Sequence, residues 1–393
     1  VEGTLNWSGT SLIFRPTQAL KPGQSYTVVL SPGAKSETGR EVLSEWRFSF
    51  KVRSPRVAYL APADASPLNI WMATPGEANS EQQVTNSTGG IYDFAVSPDG
   101  QSLAFSETNS ATGTEDIKLL DLETGSLRQL TNCVDASCTN PTWRPDGRMI
   151  AYERIEYNSA LGSVGSSPTR VWLLDLSSEP PSTRPLFPDT QVLGFDPQWS
   201  DDGKRIAIFD RASASIFVYD FSDDSGVALP SQAGTSGTLS PDGQRLVYPE
   251  IQLREGQEAR TVLRLADLQT NTIVSLPGED EMANDQSALW SPDGSQIVIG
   301  RRFLGERFTV GYQLYLVAPD SGETHQLTDD ENYTNGFFSW DAIGEQLVIQ
   351  RLALTNDQGQ PDNLARPEIW TLDIATGEFT LVARNAFHPR WVP

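Results

Sequence analysis

The sequence predicts an all-β protein, with a seven-bladed β-propeller over residues 54–393 and a separate small β unit over residues 1–53. Three observations predict it. A turn signature recurs along most of the chain, each copy leads into a short alternating apolar run, and the chain ends on the opening of a further copy.

The signature reads SPDG at 97–100, RPDG at 144–147, SDDG at 200–203, and SPDG again at 240–243 and 291–294, a spacing of 40 to 56 residues. A degenerate sixth copy is WDAIG at 340–344. Pro fixes φ and Gly supplies a positive φ, so each copy marks a tight turn between two strands. The runs that follow are SLAFSE, MIAYER, RIAIFD, RLVYPE, QIVIGR and QLVIQR. Each unit then carries a second strand pair around an acidic or Gly-containing turn, as in DIKLLDLETGSLRQLT and EIWTLDIATGEFTLV. Four strands in about 40 to 50 residues is the period of a propeller blade, and no long helical period interrupts it.

Residues 56–85 (RVAYLAPADASPLNIWMATPGEANSEQQVT) match the second, third and fourth strands of a unit and lack the first. The terminal FHPRWVP is a first strand with nothing after it, and Trp391 takes the place of Trp143 and Trp199. Joined, the two halves make one blade from both ends of the propeller and remove two open sheet edges. Six internal units plus this composite give seven.

In residues 1–53 the runs SLIFRP, SYTVVL and EWRFSF alternate apolar and polar residues between Gly and Pro. This segment has seven Lys/Arg against four Asp/Glu, whereas the remainder has 22 against 47. Such asymmetry points to two domains with different surfaces. The overall formal charge of -22 argues against a nucleic-acid partner, which requires clustered cations. No apolar run approaches the roughly 18 to 20 residues that cross a bilayer. The chain opens at Val1 without Met or a leader, which reads as a processed chain or a fragment, with any membrane anchor upstream.

Repetition of SPDG, an LAF-type strand, IW-x-x-D and T-G-x-x-x-x-L-T over residues 56–393 resembles the TolB-like propellers built from PD40 (WD40-like) repeats. The stretch LIFRPTQALKPGQSYTVVLSPGAKSETGREVLSEWRFSF resembles the C-terminal part of a bacterial Ig-like domain of the kind found in surface-layer and adhesion proteins. That resemblance implies a β-sandwich, which usually takes about 100 residues. The 53 residues here are about half of one, so its front strands are expected to precede Val1. TolB itself carries a mixed α/β domain ahead of its propeller, a departure that argues against a TolB role with a peptidoglycan-associated partner.

Propellers of this type also precede the catalytic domain of prolyl-oligopeptidase-like peptidases, where the nucleophilic Ser lies on a G-x-S-x-G elbow. This sequence contains no G-x-S-x-G, no H-E-x-x-H and no P-loop, so neither a cofactor nor a metal site is read from it. TDDENYTNG at 328–336 lacks EF-hand spacing for calcium. The repeated Asp99, Asp146, Asp202, Asp242 and Asp293 fall in the first hairpin turn and read as structural groups bonded to their own loop. Cys133 and Cys138 are too few for a zinc site, and their spacing does not fit a redox C-x-x-C. A small loop-stapling disulfide in an oxidising compartment is the preferred reading; a pair of free loop thiols is the alternative. Sequons stand at Asn6, Asn86 and Asn332.

Loop length carries the functional signal. The connections between strands two and three are long in several blades: 106–116, 153–170, 249–260, 301–313 and 351–368. They emerge on the same face as the loops between blades, and insertions gathered on one face of a repeat fold mark a binding surface. On that face Tyr157, Arg301, Arg302, Phe303, Arg307, Phe308 and Tyr333 are the candidate contacts, because aromatic and Arg side chains supply most anchoring energy. The pair Arg301 and Arg302 would form a basic spot suited to a carboxylate-bearing partner or glycan. The expected function is a non-enzymatic binding or scaffolding component of the bacterial cell envelope or surface. Two alternatives stand beside it: a carbohydrate-active enzyme with a close carboxylate pair in the central funnel, and a structural subunit with apolar patches on its sides and on the Ig-like module.

Overall fold

The computed structural model describes residues 1–393 apart from 9–10, 19, 22, 34, 37–38, 158–164, 254–258 and 357. Among the described residues, seven four-stranded antiparallel sheets form the propeller. Blades one to six span 91–129, 136–185, 195–230, 238–275, 283–326 and 333–384. Blade seven takes its first strand, Phe387–Val392, from the C-terminus and the others, Arg56–Ala61, Asn69–Ala73 and Gln82–Gln83, from the other end of the propeller. Trp391 pairs with Val57 and Arg390 with Ala58 in that closure. First strands of neighbouring blades touch in a closed ring, so they line the central axis.

The centre of each second strand is buried because both of its faces are covered. Val57, Tyr59 and Ala61 pack toward blade six, whereas Ala58 and Leu60 pack toward blade one. Every one of the seven inter-blade spaces is filled by a cluster of this kind. The two-residue period thus sends alternate side chains into opposite interfaces.

The recurrent turn forms the other layer of contacts. Asp99, Asp202, Asp242 and Asp293 each accept from the Ser that opens their turn, at 2.6, 2.6, 2.5 and 2.6 Å. Asp146 instead accepts from Arg144 and the Arg148 amide. The sequence reading of these carboxylates as turn residues describes their geometry. Gly100 ends its turn at φ +65, and a Cβ there would lie 2.4 Å from the Pro393 carbonyl oxygen. Glycine is required twice over, by backbone conformation and by the chain end at neighbouring blade seven.

Inner strands share a kink that the motifs did not announce. Asn140, Asp196, Ser287, Phe337 and His388, each three residues before a Trp, hold left-handed φ between 43 and 56. Each sits at a register shift in its ladder. The indoles of Trp143, Trp199 and Trp290 reach back to the preceding blade, donating to the carbonyls of Ala95, Thr142 and Thr238 at 3.3, 3.2 and 3.2 Å.

Residues 1–53 form two antiparallel hairpins, Gly3–Ser8 with Ser11–Pro16 and Ser25–Leu30 with Trp46–Lys51. Trp46, Phe48 and Phe50 make an exposed aromatic row along the last strand, and none of the seven buried clusters draws on this segment. Arg15 ties it to the short-turn side of the propeller, donating to Asp201 at 2.7 Å and to the Pro292 carbonyl at 3.3 Å.

Candidate functional site

Connections between strands two and three, and those between blades, gather on the face opposite the recurrent turns. Exposed large apolar side chains of the loops lie there: Tyr92, Val134, Leu253, Met282, Phe308, Val310 and Leu364 are in or beside these connections, whereas Leu127, Ile273 and Val274 lie on outer strands and Phe337 on an inner strand. No residue of the recurrent turns is among the exposed large apolar residues described. Parts of two long loops, 158–164 and 254–258, lie outside the described residues.

Blade five supplies most of the residues singled out from sequence. Its loop carries a short 3-10 turn, Gly305–Arg307, which places Arg307 against Asp280 of the preceding inter-blade loop, with bonds of 2.7 and 2.6 Å to the two carboxylate oxygens. The same guanidinium lies 4.2 Å from the centre of the Phe303 ring. Burial pushes the Asp280 carboxyl up, but Arg307 and the Met282 amide outweigh it and hold it below the ordinary value. Phe308 is 60% exposed, with exposed Val310 and Met282 in the same two loops. Arg302 stacks 5.2 Å from Tyr312, and its Nε is buried without a partner in the protein.

Arg301 is not on the surface. It is 5% exposed, donates from Nε and Nη2 to the two oxygens of Asp285 at 2.7 Å each, and reaches the Gly278 carbonyl at 3.0 Å. Its guanidinium also lies 5.4 Å from the Tyr315 ring. Burial disfavours the charge, yet Asp285 outweighs it and holds the pKa above the ordinary value. The basic spot expected from Arg301 and Arg302 therefore loses its first member to the blade interior. A signal for this was present in the sequence. Arg301 occupies the second-strand position of Arg154 and Arg351, and all three lie diagonally across from a third-strand aromatic, Tyr315, Trp172 and Trp370.

Tyr333 is half-buried beneath Arg351, whose guanidinium lies 4.1 Å from its ring and 4.5 Å from Phe379. Asp330 faces the same guanidinium at 3.5 Å. The 328–336 segment is thus organised around an arginine. Tyr157 stands apart, at the start of blade two's long loop, 40% exposed, with its hydroxyl 2.9 Å from Ser137 Oγ. Cys133 and Cys138 beside it are joined in a disulfide.

The axial channel holds the groups that sequence reasoning missed. Asp93 accepts from Ser106 and, at 2.6 Å, from the Asn140 amide; Glu153 accepts from the Asp196 amide at 2.8 Å; Asp196 accepts from the Ser236 amide at 2.9 Å. The bonds from the Asn140, Asp196 and Ser236 amides cross from one blade to the next, and those at Asn140 and Asp196 satisfy the amide at the kink. Burial pushes the Asp93 carboxyl up to about 6, against the pull of its hydrogen bonds, and raises Glu153. Around the other side, the His388 ring packs between Phe94 and Phe337, with centroids at 5.7 and 5.8 Å. Burial, reinforced by Arg390, pushes His388 down to about 3 and keeps it neutral. Asp93, Glu153 and Asp196 thus help stitch neighbouring blades together.

Comparison with known proteins bears on fold. Residues 85–272 match the model of the prolyl oligopeptidase N-terminal β-propeller domain, and residues 1–52 match a bacterial Ig-like domain. An uncharacterized peptidase of Bacillus subtilis (strain 168), YuxL, is 27% identical over 237 residues, 58% of this chain and 32% of its own. This chain therefore spans about a third of that relative. Among solved structures, a prolyl endopeptidase aligns over 91% of this chain and 50% of its own, with a TM-score of 0.60 at 14% identity. An oligogalacturonate lyase from Vibrio parahaemolyticus aligns over 84% of this chain and 86% of its own, with a TM-score of 0.57 at 13% identity. At these identities the structural matches speak to fold. The repeats build a seven-bladed β-propeller closed by the C-terminal strand, and the segment ahead of it is similar to a bacterial Ig-like domain.

Proposed function

We propose that the chain is a non-catalytic binding platform working outside the cytoplasm, with the long-loop face as its docking surface for a cell-envelope or surface protein. One observation carries this reading: the exposed large apolar residues of the propeller's loops lie on that face, and the recurrent turns opposite have none among those described. Met282, Phe308 and Val310 form the proposed anchor, and the Arg307–Asp280 pair holds the two loops that carry them. Anchors of this kind supply most interface energy. The disulfide and the bacterial Ig-like segment support an oxidising, extracytoplasmic setting.

The double variant F308D/V310D tests the anchor. Both side chains are more than half exposed, at 60% and 65%, so folding is expected to be unaffected. Cross-linking to the neighbouring protein on native cells is expected to fall about tenfold or more, the loss that hot-spot residues produce. Unchanged cross-linking would contradict the proposal.

A second reading has its own support in the match of residues 85–272 to the peptidase propeller model. There the same face would serve a hydrolase domain rather than a separate protein. Peptide hydrolysis by this chain alone would contradict both readings, because no nucleophile elbow is present in it.

A further inference from the structure

We propose that the depression between blades one and two, on the long-loop face, is a binding site for neutral glycan. The site stands apart from the blade-five anchor and does not depend on a protein partner. Nine residues line an open hollow of about 460 Å³, including Asn109, Asn132, Asp135 and Tyr157.

Its floor is rigid. The Cys133–Cys138 disulfide closes the inter-blade loop, and Asp116 holds the same loop by accepting from the Cys133 amide at 2.7 Å and the Thr131 hydroxyl at 2.9 Å. Tyr157 is fixed at both ends, by its hydroxyl to Ser137 and by its amide donating to the Asp135 carbonyl at 2.7 Å. The residue remains 40% exposed. Preorganisation of this kind lowers the ordering cost of binding.

The free polar groups match hydroxyls. Asn109 uses its amide oxygen on the Ala111 amide at 3.0 Å, which leaves its NH₂ available as a donor. Neither the Asn132 amide nor the Asp135 carboxylate is engaged by any described side chain or backbone group, and both residues are exposed. A donor, a donor–acceptor amide and an acceptor around an aromatic face fit the vicinal hydroxyls and apolar ring face of a pyranose. Among the described residues, no Lys or Arg lines the hollow. Lys118, in the adjoining depression, is already paired with Glu107. Asp116 and Asp135 make the hollow unfavourable for an anionic ligand, so neutral sugars are favoured over uronates.

The test is isothermal titration of the full chain with cellohexaose, chitohexaose, maltohexaose and mannohexaose, with hexagalacturonate as the charged counterpart. At least one neutral oligosaccharide is expected to bind, with hexagalacturonate about tenfold weaker or more. Tyr157→Ala and Asn132→Ala are each expected to weaken binding about tenfold, and Tyr157→Phe, which keeps the ring, to retain most of it. Failure of all four neutral sugars to bind would overturn the proposal, as would undiminished binding by a folded Tyr157→Ala or Asn132→Ala variant. The F308D/V310D variant is expected to bind sugar normally, which separates this site from the protein-docking anchor.

Discussion

Replacing Arg301 by methionine is expected to destabilise the propeller without affecting what its long-loop face binds. Arg301 and Asp285 are 5% and 4% exposed and share two 2.7 Å bonds. Removing one partner leaves the other charge buried and unpaired, a loss of about 3 to 5 kcal/mol. For a propeller of about 340 residues, an unfolding entropy of roughly 2.1 cal/mol/K per residue gives about 0.7 kcal/mol/K. The main thermal transition should then fall by about 4 to 7 °C, read by differential scanning calorimetry. The double variant R301M/D285L should recover a large part of the loss, because an apolar pair of similar volume does not leave a charge buried. Cross-linking on native cells should be unchanged in R301M at temperatures where the fold holds. An unchanged transition together with lost cross-linking would refute the reasoning and return Arg301 to the surface role its sequence position first suggested.

Three other perturbations follow from the ring itself. Trp391→Ala should cost about 3 to 5 kcal/mol by leaving a cavity where the C-terminal strand closes blade seven, with faster limited proteolysis as the readout. Gly100→Ala and Gly147→Ala share a left-handed φ, near +65 and +70, but only the first would put a Cβ 2.4 Å from a neighbouring carbonyl. Gly100→Ala should therefore lower the chemical-denaturation midpoint clearly more than Gly147→Ala, and equal effects would contradict the role of that contact. His388 is held neutral, pushed down to about 3 from an ordinary 6.5, so its stabilising contribution is present above pH 6.5 and is lost as pH falls toward 3. Between pH 7 and 4.5 the loss is about 2 to 3 kcal/mol, and His388→Phe should remove that acid-sensitive share of the melting profile. Asp93, pushed up to about 6, acts in the opposite sense, because its contribution is present below pH 3.8 and lost as pH rises through 6.

The architecture was legible because one local signal repeats. A turn with Pro and Gly at fixed places, followed by a run buried on both faces, needs no long-range information to be recognised, and Trp391 in the position of Trp143 and Trp199 revealed the closure. What stayed hidden depends on a second blade. The acceptors for the kinked inner strands, Asp93 for Asn140 and Glu153 for Asp196, lie 47 and 43 residues away and share no spacing rule. Arg301 was misplaced for a related reason. At the end of a second strand it resembles a loop residue, and only comparison with Arg154 and Arg351 places it over an aromatic ring. Phe308 kept its surface position because it follows the 3-10 turn, beyond the reach of the blade core.

The central claim, that the long-loop face is the docking surface, is tested most directly by carboxylate-directed cross-linking on native cells, with each link mapped by mass spectrometry. The account predicts recurrent links from exposed carboxylates of that face, such as Asp135, Glu156 and Glu306, to one neighbouring protein, and their loss in F308D/V310D. Links confined to residues 1–53 or to the recurrent turns, with the long-loop face free, would contradict it.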